Sequence, residues 1–171
     1  FSNSLTQVTL SGIGSKILTT GSSADGAWAY SYYGDAGVMI TLSGDNSQIY
    51  TTGDNASAVI VDPYDQATAS ITLSGDNASL KSTGANGHAI DVRSTEDVNA
   101  SATITLDSNT SVFSTQADGI KITSGGANDA TTIDSAGLIQ GGDNSIELSS
   151  GDDIITLRTG SNLSSVNGAD A

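Results

Sequence analysis

Short runs of alternating apolar and small polar residues recur along the chain at nearly constant spacing. Three clear copies and a looser fourth one are VTLSG (8–12), ITLSGDNS (40–47), ITLSGDNA (71–78) and ITLDSNTS (104–111). The central threonines of these copies are separated by about 31 to 33 residues. A period of this size indicates a structural unit that is stacked repeatedly. The chain of 171 residues then holds about five or six such units.

Alternation within each unit predicts three short strands, each with one buried face. In the first strand, Ile40 and Leu42 point inward and Thr41 points outward. A Gly-Asp-Asn turn such as 44–46 follows, because these residues tolerate the left-handed backbone of a sharp corner. The inward positions of the second strand are Ile17, Ile49, Leu80 and Val112. The inward pairs of the third strand are Val59 with Val61, Ile90 with Val92, Ile120 with Ile122, and Ile146 with Leu148.

The recurrence of one residue type at one place in every unit favours a coil over an antiparallel β-sandwich. Parallel coils place equivalent residues about 4.8 Å apart and so build ladders of like side chains. Two predicted ladders are Ile17-Ile49-Leu80-Val112 and Thr9-Thr41-Thr72-Thr105. The sequence therefore predicts an all-β fold, with residues 1–171 forming a single parallel β-helix (β-solenoid) segment that has three short strands per rung.

The outward threonines have a functional and an ordinary interpretation. They are Thr9, Thr41, Thr72, Thr105, Thr132 and Thr156 on the first strand, and Thr20, Thr52, Thr83 and Thr115 at the end of the second. In the functional interpretation, these hydroxyl groups form flat ladders that join one solenoid to another, or that resemble the ice-facing arrays of small solenoid antifreeze proteins. The ordinary explanation is that threonine has a high β propensity and suits a solvated sheet face.

Insertions after the third strand are expected at one corner of the coil. They are SYYGDAG (31–37), DPYDQATA (62–69), RSTEDVNAS (93–101) and SGGANDA (124–130). The candidate binding residues of this ridge are Tyr32, Tyr33, Asp35, Tyr64, Asp65, Glu96 and Asp97. Tyrosine offers a large rigid contact area with a polar tip. Alternatively, Tyr32 and Tyr64 cover an apolar corner while the acids keep the loops soluble.

Charge narrows the choice of partners. The sequence contains 5 Lys and Arg residues and 19 Asp and Glu residues, which gives a net charge of −14. Nucleic acid and anionic membrane surfaces are therefore not expected partners, since both require a basic surface. Cationic partners, divalent ions and neutral sugars remain compatible. The sequence also contains no cysteine, so disulfides and thiol chemistry are excluded within it.

The closing segment GDDIITLRTGSNLSSVNGADA (151–171), preceded by GGDNSIELSS (141–150), resembles the last rungs of autotransporter passenger domains. Those rungs commonly contain a Gly-Asp-Asp, an alternating Thr-Leu strand, a Gly-Ser turn and a further acidic turn. The upstream segment 71–92 is similar to the repeated units of the same passengers. The resemblance extends over nearly the whole chain and implies a right-handed parallel β-helix.

The resemblance implies a protein on, or released from, a Gram-negative cell surface after export across the outer membrane. Its expected role is adhesion or self-association, as in aggregation and biofilm formation. Expected partners are a host-cell protein, a matrix protein or glycan, or another copy of the chain, with no membrane insertion of this segment. The family has no common catalytic set, so no catalytic residue and no enzymatic activity are predicted. The chain is then expected to be part of a longer passenger domain.

Two other functions remain open. A β-helical polysaccharide-degrading enzyme would need two nearby carboxylates, for which Asp91 with Asp62 or Glu147 with Asp118 are candidates. The only histidine, His88, is expected in an exposed turn rather than in a catalytic pair. Alternatively, the segment is a passive stalk that presents a distal domain.

Calcium is the one ion that the sequence suggests. Clustered oxygen ligands bind it, and acidic turns occur at 45–46, 76–77, 143–144 and 152–153. The same Asp and Asn residues are explained by local hydrogen bonds to the turn backbone. No cofactor and no metal ligand are therefore predicted, with calcium as the alternative.

Overall fold

The computed structural model describes residues 5–31, 37–64, 66–94, 100–126 and 128–167. Within these ranges the chain contains seventeen β-strands and no helix. In chain order the strands are β1 (Thr6–Leu10), β2 (Lys16–Thr19), β3 (Ala27–Tyr30), β4 (Gly37–Leu42), β5 (Gln48–Thr51), β6 (Val59–Asp62), β7 (Thr68–Leu73), β8 (Ser79–Ser82), β9 (Ile90–Ser94), β10 (Ser101–Leu106), β11 (Ser111–Ser114), β12 (Ile120–Ser124), β13 (Ala130–Ser135), β14 (Leu138–Gly141), β15 (Ile146–Glu147), β16 (Ile154–Leu157) and β17 (Asn162–Ser165).

Every third strand joins the same sheet, so the chain winds as a coil with three strands per rung. Sheet A has the order β1-β4-β7-β10-β13-β16, sheet B has the order β2-β5-β8-β11-β14-β17, and sheet C has the order β3-β6-β9-β12-β15. All pairings between neighbouring strands are parallel. The predicted parallel β-solenoid is confirmed. The right-handed winding stays a prediction.

The predicted aliphatic ladder is confirmed and is longer than the sequence indicated. Ile17, Ile49, Leu80 and Val112 are register partners, and Ile139 and Leu163 continue the row. Within the described residues, the interior is a column of stacked aliphatic side chains from the three sheets. Burial of these side chains provides the main stabilisation, at roughly 25 cal/mol per Å² of apolar surface.

Two sequence-based assignments within the strands are wrong. Thr9, Thr41, Thr72 and Thr105 stack as predicted, but Asp134 takes the next place in that row before Thr156. Thr132 stacks on Thr103 in the neighbouring outward row. Leu148 is 37% exposed rather than inward, because β15 ends one residue earlier at Glu147.

Asparagine residues form the corners between the sheets. Asn46 and Asn77 have φ angles of 56° and 57°, at equivalent places of successive turns. The glycines before them also stack, because a Cβ on Gly75 would lie 2.3 Å from the carbonyl oxygen of Gly44. The Gly-Asp-Asn turns thus meet two separate demands, close rung-to-rung approach at the glycine and left-handed backbone at the asparagine.

Hydroxyl groups inside the coil satisfy the carbonyl groups of its corners. Thr51, Ser82 and Ser114 occupy inward positions of sheet B and are fully buried. The hydroxyls of Thr51 and Ser82 both donate to the Ala56 carbonyl at 2.9 Å, and Ser114 donates to Gly87 at 2.8 Å. A buried carbonyl without such a partner would be costly, so these hydroxyls stabilise the bends between sheets B and C.

Candidate functional site

The outer face of sheet C carries aromatic, acidic and basic side chains. Its first outward row contains Trp28, Ile60, Asp91, Lys121 and Glu147. Its second contains Tyr30 paired with Asp62, and Arg93 paired with Thr123. Alternation along each strand puts these side chains outside the coil. The face therefore combines an aromatic pair at one end with charged groups on the next rungs.

Asp91 and Arg93 form the first charged pair of this face. The Nη2 and Nε atoms of Arg93 lie 2.6 and 2.8 Å from Oδ2 of Asp91. Asp91 is only 4% exposed, whereas the Arg93 side chain is 40% exposed. Burial opposes the charge of Arg93, but the hydrogen bond and charge of Asp91 outweigh it and raise the pKa of Arg93. The guanidinium is therefore held in a fixed orientation with part of its surface open to solvent.

Asp62 lies beside this pair on the same face. Partial burial raises the pKa of its carboxyl group, Arg93 opposes the shift, and the charge of Asp91 adds to it. The carboxyl group of Asp62 therefore binds a proton at a higher pH than an ordinary surface aspartate.

A second polar network surrounds Asp118. Its Oδ1 accepts hydrogen bonds from the backbone N and side-chain Nδ2 of Asn144, at 3.1 and 2.8 Å. Burial would raise the pKa of Asp118, but hydrogen bonds with Glu147 and Asn144, and the nearby His88, hold it below its usual value. Lys121 Nζ lies 3.1 Å from Glu147 Oε2 and 4.0 Å from Asp118 Oδ2. The network joins neighbouring rungs.

His88 is partly buried in this network, so the expectation of an exposed turn histidine is wrong. Its Nδ1 accepts a hydrogen bond from the backbone N of Asp118 at 3.2 Å. Burial lowers the pKa of His88 against the opposing charges of Asp91 and Asp118. The same Nδ1 is 3.2 Å from Asp118 Oδ2. Because an acceptor nitrogen carries no proton, we assign a neutral imidazole rather than an ion pair.

The aromatic pair of this face was not identified from the sequence. Trp28 is 60% exposed and Tyr30 is 44% exposed, and an open hollow of about 480 Å³ lies over them. The signal was present in the segment AWAY (27–30), where alanines alternate with large aromatic residues. That pattern places the alanines inside and the rings outside.

The ridge predicted from the insertions is described only in part. Tyr32, Tyr33, Asp35, Asp65, Glu96 and Asp97 lie outside the described residues. Tyr64 is half-buried, and its backbone N donates to Ser31 Oγ at 3.3 Å. Each insertion connects a strand of sheet C with the next strand of sheet A, so the predicted common corner is confirmed. The binding role of these residues stays a prediction.

The aspartates of the turns accept hydrogen bonds from the backbone of the next rung, whereas the ordinary interpretation predicted bonds within the turn itself. Asp45 Oδ1 accepts from the Asp76 backbone N at 3.1 Å, and Asp54 Oδ1 accepts from that of Ala85 at 3.0 Å. Across the described ranges, no group of three or more His, Cys, Asp or Glu side chains is arranged to hold a metal ion. Calcium binding stays an alternative that these contacts do not require.

The carboxylates of the hydrolase hypothesis are brought together but are engaged by other groups. The charge of Asp91 raises the pKa of Asp62, and Lys121 Nζ lies 3.1 Å from Glu147 and 4.0 Å from Asp118. Arg93 binds Asp91, and Lys121 binds Glu147. Carboxylates held in ion pairs are typical of structural networks, although perturbed groups also cluster at catalytic sites.

The fold and its outer faces define the protein as a parallel β-solenoid. Comparison of the chain with protein-family models, curated proteins and solved structures finds no match. In the part of the chain that the structure describes, none of the elements is a helix with the length and apolar character needed to span a bilayer.

Proposed function

We propose that the chain is a non-enzymatic segment of a surface-displayed passenger of the autotransporter type, acting in adhesion or self-association. The observation that carries this proposal is the in-register stack of three parallel sheets. In such a stack, each outward row contains one side chain per rung, and successive side chains in the row are about 4.8 Å apart. A partner that binds one rung weakly can therefore bind several rungs at once.

The mechanism is multivalency along a stiff scaffold. Linked weak contacts act at high effective concentration, so their combined affinity exceeds that of any single contact. The passenger-like motif at 141–171 supports display at, or release from, a Gram-negative cell surface. The proposed partners are a host-cell protein, a matrix protein or glycan, or another copy of the chain.

A bead assay tests the adhesive role. Beads coated with the chain at high density should cluster or bind to cells and matrix, whereas beads at low density should not, since avidity depends on density. Replacing Trp28 and Tyr30 with alanine tests whether the outer face of sheet C contributes, with Tyr50→Ala on sheet B as the control. Absence of both clustering and binding at high density contradicts the proposal.

Glycan cleavage is the second candidate, and the raised pKa of Asp62 beside Asp91 is the observation that favours it. Incubation with neutral and acidic polysaccharides should release reducing ends if this hypothesis is correct. Because Asp91→Asn also weakens the pair with Arg93, thermal unfolding of the variant must be measured alongside. Loss of cleavage in a folded Asp91→Asn or Asp62→Asn variant would support an enzyme in place of an adhesin.

A further inference from the structure

Trp28 on sheet C is more open to solvent than the rings of sheet B. On sheet B, Lys81 Nζ lies 5.2 Å from the ring centres of both Tyr50 and Phe113, and so occupies part of their faces. Trp28, in contrast, has 60% of its surface open to solvent. A large exposed indole beside a second ring offers a flat apolar platform, a feature that marks binding surfaces.

Fixed polar groups lie on the rungs next to this platform. Asp62 is the register partner of Tyr30, and Arg93 lies on the following rung. The guanidinium has five N–H donors, and Asp91 engages Nε and Nη2. The remaining donors of Arg93 are two rungs from the strand that carries Trp28 and Tyr30, and the Asp62 carboxyl group is one rung from it. Neighbouring rungs are about 4.8 Å apart. Arg93, which Asp91 holds in place, can therefore orient a ligand without losing much entropy on binding.

The combination defines the chemistry of the ligand. A sugar ring has one apolar C–H face, which packs on an aromatic ring, and a rim of hydroxyl groups that both donate and accept hydrogen bonds. A purely apolar ligand would form no hydrogen bonds with Arg93 or Asp62. An anionic ligand would meet Asp62 and Asp91 beside Arg93 on a chain of net charge −14. A neutral glycan can form hydrogen bonds with Arg93 and Asp62, and it carries no negative charge for the acidic groups to repel.

We infer, with the proposed adhesive function as its setting, that Trp28, Tyr30, Asp62 and Arg93 form a binding site for a neutral glycan. One sugar ring packs against Trp28 and Tyr30. The hydroxyl groups of that sugar or the next accept from Arg93 and donate to Asp62. The glycan therefore extends across the strands of sheet C, from Trp28 and Tyr30 on β3 to Asp62 on β6 and Arg93 on β9.

The single tryptophan of the chain makes the inference directly measurable. Cello- and chito-oligosaccharides titrated into the intact chain should change Trp28 emission saturably, and this change should persist at high salt because no net charge is involved. A polyuronate should give no such change. By calorimetry, Trp28→Ala should weaken binding about tenfold or more, as for a central aromatic contact. Tyr50→Ala should bind like the parent chain.

Polar variants test the hydrogen-bonding part separately. Asp62→Asn retains the shape of the side chain and should weaken binding while thermal unfolding stays unchanged or improves. Replacing Arg93 is a less informative test, because the loss of its side chain leaves Asp91 buried without its ion-pair partner. No response of Trp28 to either neutral oligosaccharide, unchanged binding in Trp28→Ala, or tighter binding of the polyuronate would overturn the inference. If beads still cluster without glycan binding, only this inference is overturned, whereas loss of both overturns the adhesive function as well.

Discussion

Individual residues set the corners of the coil. The left-handed asparagines recur at Asn46, Asn77 and Asn109 at one corner, and at Asn55 and Asn86 at another. Asn77 Nδ2 also lies 3.5 Å from Asn46 Oδ1, and Asn86 Nδ2 lies 3.2 Å from Asn55 Oδ1. One residue type therefore supplies both the unusual backbone angle and a bond to the next rung.

Replacing Asn77 tests this corner role. Asn77→Ala should lower the free energy of unfolding by about 1–2 kcal/mol, because a residue with a Cβ and no polar group is strained at positive φ. Asn77→Gly should cost less, since glycine adopts this region freely. Urea unfolding measures both. Equal destabilisation by the two variants would show that backbone strain is not the reason for asparagine here.

His88 is expected to make stability depend on pH. Burial lowers its pKa in the folded chain below the ordinary value of 6.5, so between these two values only the unfolded chain binds the proton. The contribution of neutral His88 to folding stability is complete above pH 6.5. It is lost as the pH falls through the pKa that His88 has in the folded chain.

The measurement is the free energy of unfolding as the pH falls from about 7.5 to 5, the range in which histidine titrates. His88→Gln should remove the decline that begins near pH 6.5. Asp62 has the opposite slope at lower pH, because its pKa is raised from 3.8 and its folded form binds the proton first. An unchanged pH profile in His88→Gln contradicts the assignment of a buried neutral imidazole.

At the scale of the element, glycines control how closely the corners of successive rungs approach. A Cβ on Gly84 would lie 2.0 Å from the carbonyl oxygen of Gly53, whereas a Cβ on Gly14 would have no neighbour within 4 Å. Gly84→Ala should therefore destabilise the chain by about 1–3 kcal/mol or more through overpacking. Gly14→Ala is the control and should cost only the strain of its positive φ, about 1 kcal/mol. Thermal unfolding compares them, and similar losses would show that rung contact does not limit this corner.

Sheet B is stabilised on its outer face by a stack of rings and ammonium groups. Lys81 lies between Tyr50 and Phe113, and Lys16 Nζ is 5.6 Å from the Tyr50 ring centre. Lys81→Met retains the packing of the stem and removes the charge. The expected loss is about 0.5–1 kcal/mol, the value of an exposed cation–π contact, measured by chemical unfolding. A gain in stability would contradict this account of the face.

Most of the strands could be predicted from the sequence because their inward residues repeat in kind. The row Ile17-Ile49-Leu80-Val112 needs only periodicity and alternation to be recognised. The register of the fifth rung was missed because Asp134 replaces threonine there and breaks the repeat. Leu148 was misplaced because alternation does not show where a two-residue strand ends.

The candidate site was less predictable because it depends on neighbours from different rungs. Trp28, Asp62 and Arg93 are far apart in sequence, and none of their segments alone shows that the three residues share a face. Only the register of sheet C brings them to one face. Ile60 has an outward position yet is only 1% exposed, which alternation alone could not indicate.

For the whole molecule, the central claim is that the backbone winds in parallel register so that Thr41 lies directly beside Thr72. The chain has no cysteine, so introduced pairs report on proximity without interference. Cα atoms of neighbouring strands are within the range of about 4.4–6.8 Å that a disulfide requires. The proposed functions depend on this geometry, because the register of the rungs brings their contact residues onto one face.

The most direct measurement is oxidation of two double-cysteine variants, followed by mass spectrometry after proteolysis. Thr41→Cys with Thr72→Cys should form an intramolecular disulfide rapidly in the folded chain. Thr41→Cys with Gln48→Cys should not, because these residues belong to sheets A and B. Rapid closure of the second pair and none of the first would indicate an antiparallel hairpin through 43–47, and would contradict the parallel coil.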